Sequence, residues 1–307
     1  MLGLETPVER LQHMNQPAYE FYLNRNPGID LAADRLEIGV CAQHNNGGID
    51  VDLWWRSSIA GLFPVGEAAG AHGVARPGGA ALNSAQVGAT RAAQWIAARE
   101  QGAARADEGW QELAGDALQK ARSLLEAACG REESSGVLID DVLMESTRAM
   151  SDNAGLVRSR QGLEELARNA AEWRRRVVDE CVVDPTSRRS VDRLFLVRDI
   201  LDVQAVYVAA MLDHLDHGVG SRGSVLYTDP DGDLPVSWWN DGADLDVEEI
   251  FRHRLDSKAH HGVTQRVSVD AVGEAIHAHW GPVRPIPTED EFLENVWKTY
   301  RVDHNIH

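Results

Sequence analysis

The spacing of glycines between residues 42 and 88 constrains the fold more strongly than any other feature of this chain. The stretch reads AQHNNGGIDVDLWWRSSIAGLFPVGEAAGAHGVARPGGAALNSAQVG, and its glycines from Gly66 to Gly79 surround one acid, Glu67, and one base, Arg76. Glycine permits positive φ and lets backbone amides approach a ligand closely. These residues alone leave two interpretations open: one wall of a ligand site, or a series of tight turns.

Short apolar runs between the glycines predict β-strands, followed by one helix. Alternation is typical of strands, whereas the small, periodic residues 85–100 are typical of a helix packed closely on a sheet. Asn83 or Ser84 is the expected N-terminal cap of that helix. The predicted strands are residues 36–43, 47–55 and 61–68.

Residues 107–218 are predicted to be almost entirely helical. Four segments carry apolar residues at three- and four-residue steps, which is the spacing of amphipathic helices in a bundle. The predicted helices are residues 110–128, 138–150, 162–180 and 190–215. A short helix from Pro7, closed by a turn at Pro27-Gly28, precedes these elements, and the whole predicts an α+β fold.

Changes in composition divide the chain of 307 residues into four parts. The last part is expected to be irregular, with a possible helix at 246–255 and a short strand. The predicted parts are an N-terminal helix and connector (1–36), a β-rich part with one helix (37–104), a helical domain (105–220) and a C-terminal extension (221–307).

The formal net charge of −18 argues against two kinds of partner. Such a field repels phosphate backbones and anionic lipid headgroups, so we expect neither nucleic-acid binding nor membrane-surface binding. No apolar run approaches the ~18 residues that a transmembrane helix needs, so no membrane span is expected. The N-terminal residues lack the pattern of a signal peptide, which predicts a cytoplasmic protein.

The cysteines and histidines predict no metal site. Cys41, Cys129 and Cys181 lie far apart without metal-ligand spacing, which fits a reducing compartment, and the last two are predicted to be buried thiols. Histidines crowd the last third of the chain, as at His214 and His217, but their spacing fits no zinc template. Two tryptophan pairs fit either stacking on an aromatic ligand or core packing: Trp54–Trp55 and Trp238–Trp239.

The run GLFPVGEAAG followed by AHGVARPGG resembles the C-terminal part of the FAD domain in the fumarate reductase/succinate dehydrogenase flavoprotein family. That family has G-L-[YF]-x-x-G-E-x, then H-G-x-x-R-x-G-[AG], then a helix. NAGLVRS (153–159) and SRG (221–223) resemble its helical domain, so several ordered motifs agree over roughly residues 37–229. The resemblance implies an incomplete C-terminal part of a Rossmann-like FAD-binding domain, then a mainly helical domain and an irregular tail.

The resemblance implies FAD as the cofactor and assigns residues to it. Glu67 would bind the ribityl or ribose hydroxyls of FAD, and the turn from Gly78 to Leu82 would offer backbone amides to the isoalloxazine carbonyl. The family ends this turn in Asn-Ser-Leu where this chain has Ala-Ala-Leu, so backbone donors are kept and side-chain donors are lost. The implied cofactor-binding residues are Gly66, Glu67, Gly78, Gly79, Ala81 and Leu82.

The resemblance also implies a small carboxylate or enone-type substrate. Arg76 would hold a substrate carboxylate by a bidentate, charge-assisted contact. The family pattern H-x-x-x-G-G has a histidine that contacts the same carboxylate, and this chain has Gln43 at that position. His44 could replace it only with a local shift of the backbone. The candidate catalytic residues are therefore Arg76, Gln43 and His44.

Two parts of the family's architecture are not found in this sequence. There is no strand–GxGxxG–helix fingerprint for the pyrophosphate of FAD, and no capping domain. We therefore expect a partner chain or segment that carries them, and an oligomer. Three accounts stay open: one part of a split flavoenzyme that transfers hydride, a C-terminal fragment of a longer enzyme, or a non-catalytic assembly subunit derived from one.

Overall fold

A computed structural model of the chain divides into two compact units, Met1–Asn45 and Asn46–His307. Gln43, His44 and Arg76 lie outside the described residues, as does most of the first predicted strand. Cys41 and the pair Trp238–Trp239 also lie outside them. The structure describes residues 5–34, 36, 47–70, 78–99, 109–132, 136–184, 186–223, 225–236, 246–270, 275–283, 285, 288 and 292–303.

The first unit contains one described helix, α1 (Pro7–Arg25), as the sequence predicts. A capping box begins it: Glu9 N–H donates to Thr6 Oγ1 (3.2 Å), and Thr6 N–H donates to the Glu9 carboxylate (2.9 Å). Asn15 leaves helical geometry two residues before Pro17. Because proline cannot donate a backbone hydrogen bond, the helix kinks there.

Four helices of the second unit form a bundle, and each lies within four residues of its predicted bounds. The helices are α3 (Trp110–Cys129), α4 (Ile139–Asn153), α5 (Arg160–Asp179) and α6 (Arg188–Asp216). α2 (Gly78–Arg99) precedes them and α7 (Phe292–Asp303) follows. Ser159 caps α5 by accepting a hydrogen bond from Gly162 N–H (3.0 Å).

The bundle encloses the main core of the described residues. On α5 and α6 the buried side chains recur at steps of three and four, so one stripe of each helix faces the core. The buried residues of these two helices include Leu163, Leu166, Ala170, Trp173, Val177, Leu194, Val197, Leu201 and Val208. Cys181 is fully buried, and burial raises the pKa of its thiol to about 11, so it is a structural thiol as predicted.

Two short parallel strand pairs join the bundle's loops. β1 (Val137–Leu138) pairs with β3 (Cys181–Val182), and β2 (Val157–Arg158) pairs with β4 (Leu226–Asp233). Each pair connects a residue before one helix to a residue that follows a later helix. The pairs therefore fix where α4 and α5 begin.

The C-terminal extension is more regular than predicted. β5 (Val263–Val269) and β6 (Ile276–Pro282) form an antiparallel hairpin in which Gln265 lies opposite Trp280. The predicted helix at 246–255 is wrong, because only Glu249–Phe251 forms a short 3₁₀ turn. Among the described helices, none combines the length and apolarity needed to cross a membrane.

The predicted strands at 47–55 and 61–68 are wrong. The described residues there form turns, and Gly66–Ala69 is a 3₁₀ helix. One Asp52 carboxylate oxygen accepts hydrogen bonds from Trp54 N–H (2.8 Å) and Arg56 N–H (3.0 Å), so a side chain takes backbone donors that a strand would have paired. The described part of residues 37–104 therefore has a helix but no strand of a Rossmann-like sheet.

Candidate functional site

The two glycine motifs are Gly47-Gly48 and the turn Ala68–Gly70, and their backbones pack directly against each other. Ile49 N–H donates to Ala68 O (2.8 Å). A Cβ at Gly48 would lie 2.4 Å from Ala68 O, and a Cβ at Gly70 would lie 2.0 Å from the carbonyl carbon of Gly47. Gly70 also has a φ of +62°, which disfavours other residues. The glycines thus bring the segment that follows Gln43 and His44 against the segment that precedes Arg76. We call residues 47–70 the glycine segment.

Glu67 lies in the 3₁₀ turn of the glycine segment, not at the tip of a strand as predicted. Its side chain is exposed, whereas Gly66 and Ala69 on either side are buried. A Cβ at Gly66 would lie 3.4 Å from the Cβ of Ala85, so the turn rests closely on α2. The structure therefore holds this carboxylate at the surface beside α2.

The prediction of a turn from Gly78 to Leu82 outside the helix is wrong, because these residues form the first turn of α2. The helix begins at Gly78, so Asn83 and Ser84 lie inside it and do not cap it. Ala81 is buried, whereas Leu82 is 72% exposed. The first backbone N–H groups of a helix have no partner within the helix. The amides of Gly78 and Gly79 therefore belong to a helix N-terminus, whereas the amide of Leu82 lies four residues after Gly78, which is the spacing of the helix's own hydrogen bonds.

Stacked tryptophans and arginines hold α2 on the glycine segment. The Trp54 and Trp95 rings lie 5.7 Å apart, and the Arg91 guanidinium lies 4.0 Å from the Trp54 ring. Arg91 Nε also donates to Leu53 O (2.8 Å). Trp54 is buried, so of the two interpretations of this residue the structure favours core packing.

Large apolar side chains are nevertheless exposed throughout this region. The core cluster formed by the bundle includes no residue from 47–99. Several large apolar side chains exposed in one region favour a contact with another chain or segment. The exposed side chains are Ile49, Leu53, Ile59, Leu62, Leu82, Val87 and Ile96.

A groove of about 880 Å³ lies along α4 in the bundle, and two of the charges that line it, Arg176 and Glu145, are paired with each other. Arg176 donates to the Glu145 carboxylate, which also accepts from Trp173 Nε1. The hydrogen bond from Arg176 lowers the pKa of Glu145, and burial only partly opposes it. This groove has no feature that favours a reaction site over a solvated face.

Sequence reasoning missed a polar cluster between the hairpin and α6. Asp213 Oδ2 accepts from Trp280 Nε1 (2.8 Å) and from Gln265 Nε2 (2.7 Å). The rings of His214 and His217 lie 5.4 and 5.0 Å from that of Trp280. Alternating apolar residues in both strands were a usable signal for the hairpin. The cluster itself joins Asp213 to residues 52 and 67 positions away in the chain.

No group of three or more His, Cys, Asp or Glu side chains in the described part of the chain is arranged to hold a metal ion. The predicted cofactor residues lie on two adjoining elements: Gly66 and Glu67 in the 3₁₀ turn, and Gly78, Gly79, Ala81 and Leu82 at the start of α2. The substrate-binding roles of Arg76, Gln43 and His44 remain predictions.

No family model matches the chain. Over 66 residues it is 39% identical to one subunit of the fumarate reductase (CoM/CoB) of Methanothermobacter marburgensis, in an alignment that covers 21% of this chain and 12% of that protein. Its fold matches E. coli quinol fumarate reductase FrdA with a TM-score of 0.67 and 19% identity over 92% of this chain and 44% of that one. Mycobacterium smegmatis Sdh1 matches with a TM-score of 0.56 and 16% identity, over 98% and 45% of the two chains.

The chain therefore has a mixed helix and strand fold shared with part of the flavoprotein subunits of fumarate reductases and succinate dehydrogenases. The predicted resemblance to that family is confirmed, and the curated match is likewise to a fumarate reductase subunit. The chain spans about 44% of the length of FrdA and 12% of the Methanothermobacter protein.

Proposed function

We propose that this chain forms one wall of the FAD site in a FAD-dependent oxidoreductase. The observation that carries the proposal is the close packing of Gly47-Gly48 on the turn Ala68–Gly70, beside α2. This packing joins described residues that lie next to the segments of Gln43, His44 and Arg76, while those three residues lie outside the described ones. The 66-residue match to a fumarate reductase subunit supports the same assignment.

The described residues fit the cofactor. Glu67 is exposed, so its carboxylate can accept hydrogen bonds from the ribityl or ribose hydroxyls of FAD. The first amides of α2, at Gly78 and Gly79, can donate to a ring carbonyl, because no carbonyl of the helix accepts from them. The Leu82 amide lies four residues after Gly78 and falls within the helix's own hydrogen-bond pattern. The lost family side chains at Ala80 and Ala81 do not remove these backbone donors. FAD, when bound, would supply the hydride chemistry.

The substrate in this proposal is a small carboxylate or an enone-type compound. Arg76 holds the substrate carboxylate through two parallel N–H···O bonds, which fix both its position and its orientation. Gln43 or His44 supplies a second hydrogen bond. A neutral Gln43 where the family has histidine widens the possible substrates beyond fumarate and succinate.

The remaining wall comes from a segment with the dinucleotide-binding fold and the capping domain. The exposed apolar side chains between Ile49 and Ile96 support this step, because burying them would stabilise the complex by about 25 cal/mol per Å². The two described cysteines, Cys129 and Cys181, are free thiols, which supports a cytoplasmic location. A non-catalytic assembly subunit derived from such an enzyme is the alternative.

Purification of the tagged chain from its native source tests the proposal. We expect a yellow preparation that contains a GxGxxG fingerprint, either in a partner chain or in another segment of the same polypeptide. A colourless complex with an unrelated protein would instead support the assembly subunit.

In that complex, we expect Arg76→Ala to lower kcat/KM by at least about a hundredfold, because a charge-assisted contact to the substrate is lost. Flavin absorbance should not change. Arg122→Ala is the matched control, since Arg122 lies exposed on α3 beside Glu126 and should leave turnover unaltered. Unchanged kinetics in Arg76→Ala would remove the substrate-binding role from Arg76.

A further inference from the structure

One carboxylate fixes the β5–β6 hairpin to the bundle. Asp213 Oδ2 on α6 accepts from Gln265 on β5 and from Trp280 on β6, and Gln265 Nε2 also donates to Ala210 O (3.0 Å). Both strands of the hairpin therefore depend on the same acceptor. The indole of Trp280 completes the contact with α6.

Three histidine rings surround Trp280, but their partners differ. His217 Nδ1 lies 3.3 Å from Asp213 Oδ1, and His260 Nδ1 lies 3.0 Å from Asp256 Oδ1. Protonation of these two histidines would strengthen an ion pair. His214 Nδ1 instead faces the hydroxyl of Tyr227 at 3.4 Å. His214 is thus the member of the cluster whose protonation has the least favourable surroundings.

Charges from every neighbouring element act on His214. Burial is the largest effect and lowers its pKa, and the cation Arg222 of the loop after α6 lowers it further. Arg158 on β2 and His260 act in the same direction, whereas Asp213 on α6 opposes them.

Beyond these groups, Asp256 is nearly fully buried and already contacts two histidines and an arginine: His260, His261 and Arg222. These contacts hold the Asp256 carboxylate beside Arg222 and the two rings, and no contact with His214 is among them.

The neutral form of His214 is consequently favoured where the hairpin is docked. A histidine whose pKa is lowered by folding contributes stability that is complete above its ordinary pKa and is lost as the pH falls through that range. Acidification should therefore weaken docking.

The hairpin also reaches the glycine segment. Arg266 Nε on β5 lies 2.8 Å from Asp50 Oδ2. Asp50 follows Ile49, whose N–H bonds to Ala68 O in the packed glycine motifs. The hairpin thus connects α6 to the segment on which the candidate site is built.

We propose that the β5–β6 hairpin is a proton-sensitive brace: protonation of His214 releases the hairpin from α6, and the glycine segment then loses the support that it receives through Arg266 and Asp50.

Hydrogen exchange of the full chain tests this brace and needs no flavin, so its result is independent of the proposed function. Exchange is compared at about pH 7.5 and about pH 5.5, on either side of the ordinary histidine pKa, after correction for the intrinsic pH dependence of exchange. We expect protection of the amides of β5 and β6 to fall by roughly fivefold or more at the lower pH. Amides of α5 should keep their protection. Unchanged protection of the hairpin would overturn the proposal.

Matched substitutions assign the effect to one ring. His214→Phe keeps a ring beside Trp280 but cannot be protonated, so the hairpin should keep its protection at both pH values. His277→Phe changes an exposed histidine of the same hairpin and should retain the wild-type response. An equal loss of protection on acidification in His214→Phe and the wild type would contradict the proposal.

Two further variants test the two contacts of the hairpin, with α6 and with the glycine segment. They keep the proposal testable even if His214→Phe does not fold. Asp213→Asn should release the hairpin at both pH values, because the charged acceptor of Trp280 and Gln265 is lost. Arg266→Met should leave the hairpin's own response intact but abolish the response of residues 47–70. A glycine segment that still follows pH in Arg266→Met would refute the connection through Asp50.

Discussion

Leu163 on α5 and Leu82 on α2 are both leucines on helices of the second unit. Leu163 is fully buried, whereas Leu82 is 72% exposed. The side chains of α3–α6 enclose the core of the bundle, together with residues of the two parallel strand pairs at its loops. The glycine segment and α2 instead meet through glycines, alanines and stacked rings, and leave their larger aliphatic side chains outside. The first region encloses its own apolar side chains, whereas the second exposes side chains of the kind that contacts between chains bury.

The largest effect that this comparison predicts is in the bundle. Leu163→Ala should lower the free energy of unfolding by about 2–5 kcal/mol, because it leaves a cavity in a fully enclosed core. Urea unfolding followed by circular dichroism measures this loss. Leu118→Ala, at a position 70% exposed on α3, is the control and should change stability little. Equal losses in the two variants would show that the bundle core is not where the stability of the chain resides.

A smaller effect is expected within the glycine segment. Gly48→Ala would place a Cβ 2.4 Å from Ala68 O and should destabilise the packing of residues 47–70 by about 1–3 kcal/mol. Gly47→Ala is the matched control on the adjacent residue, where a Cβ would meet nothing within 4 Å. Hydrogen exchange of residues 47–70 should increase in the first variant and not in the second. The same exchange in both variants would mean that the two motifs are not tightly packed.

The smallest effect should appear only in the complex. Leu82→Ala should leave the stability of the isolated chain within about 0.5 kcal/mol of the wild type, as surface substitutions usually do. In the native complex it should weaken association roughly ten- to hundredfold, since a buried leucine contributes about 1.5–3 kcal/mol. Leu118→Ala again serves as the control, because its exposure is nearly the same. Equal affinities for the two variants would place the partner elsewhere on the surface.

The sequence predicts the bundle well for a physical reason. The apolar steps of three and four in residues 162–180 and 190–215 belong to single helices, so a local pattern contains the answer. The start of α2 was missed because Gly78–Ala81 carries no apolar period and its glycines suggest a turn. The strand at 47–55 was wrong because alternation does not reveal that Asp52 takes the backbone donors of Trp54 and Arg56.

The candidate sites divide in the same way. The family resemblance assigns Glu67 and the amides from Gly78 to Leu82 to FAD, and these binding roles remain predictions. The structure places Glu67 in a 3₁₀ turn and the amides in a helix. The contact of Asp213 with Trp280 could not be named, since it depends on how the hairpin meets α6. Local motifs predict which residues can bind, and tertiary packing decides which of them meet.

The parallel pairing of β2 with β4 has a consequence for biosynthesis. Val157 and Leu226 are partners, and both α5 and α6 lie between them in the chain. As the protein emerges from the ribosome, β2, just before α5, therefore cannot form its strand pair until Leu226 and the buried Tyr227 have been synthesised. A nascent chain stalled at the end of α6 would contain all four helices of the bundle, yet β2 would still lack its partner strand β4 and would be accessible to chaperones and proteases.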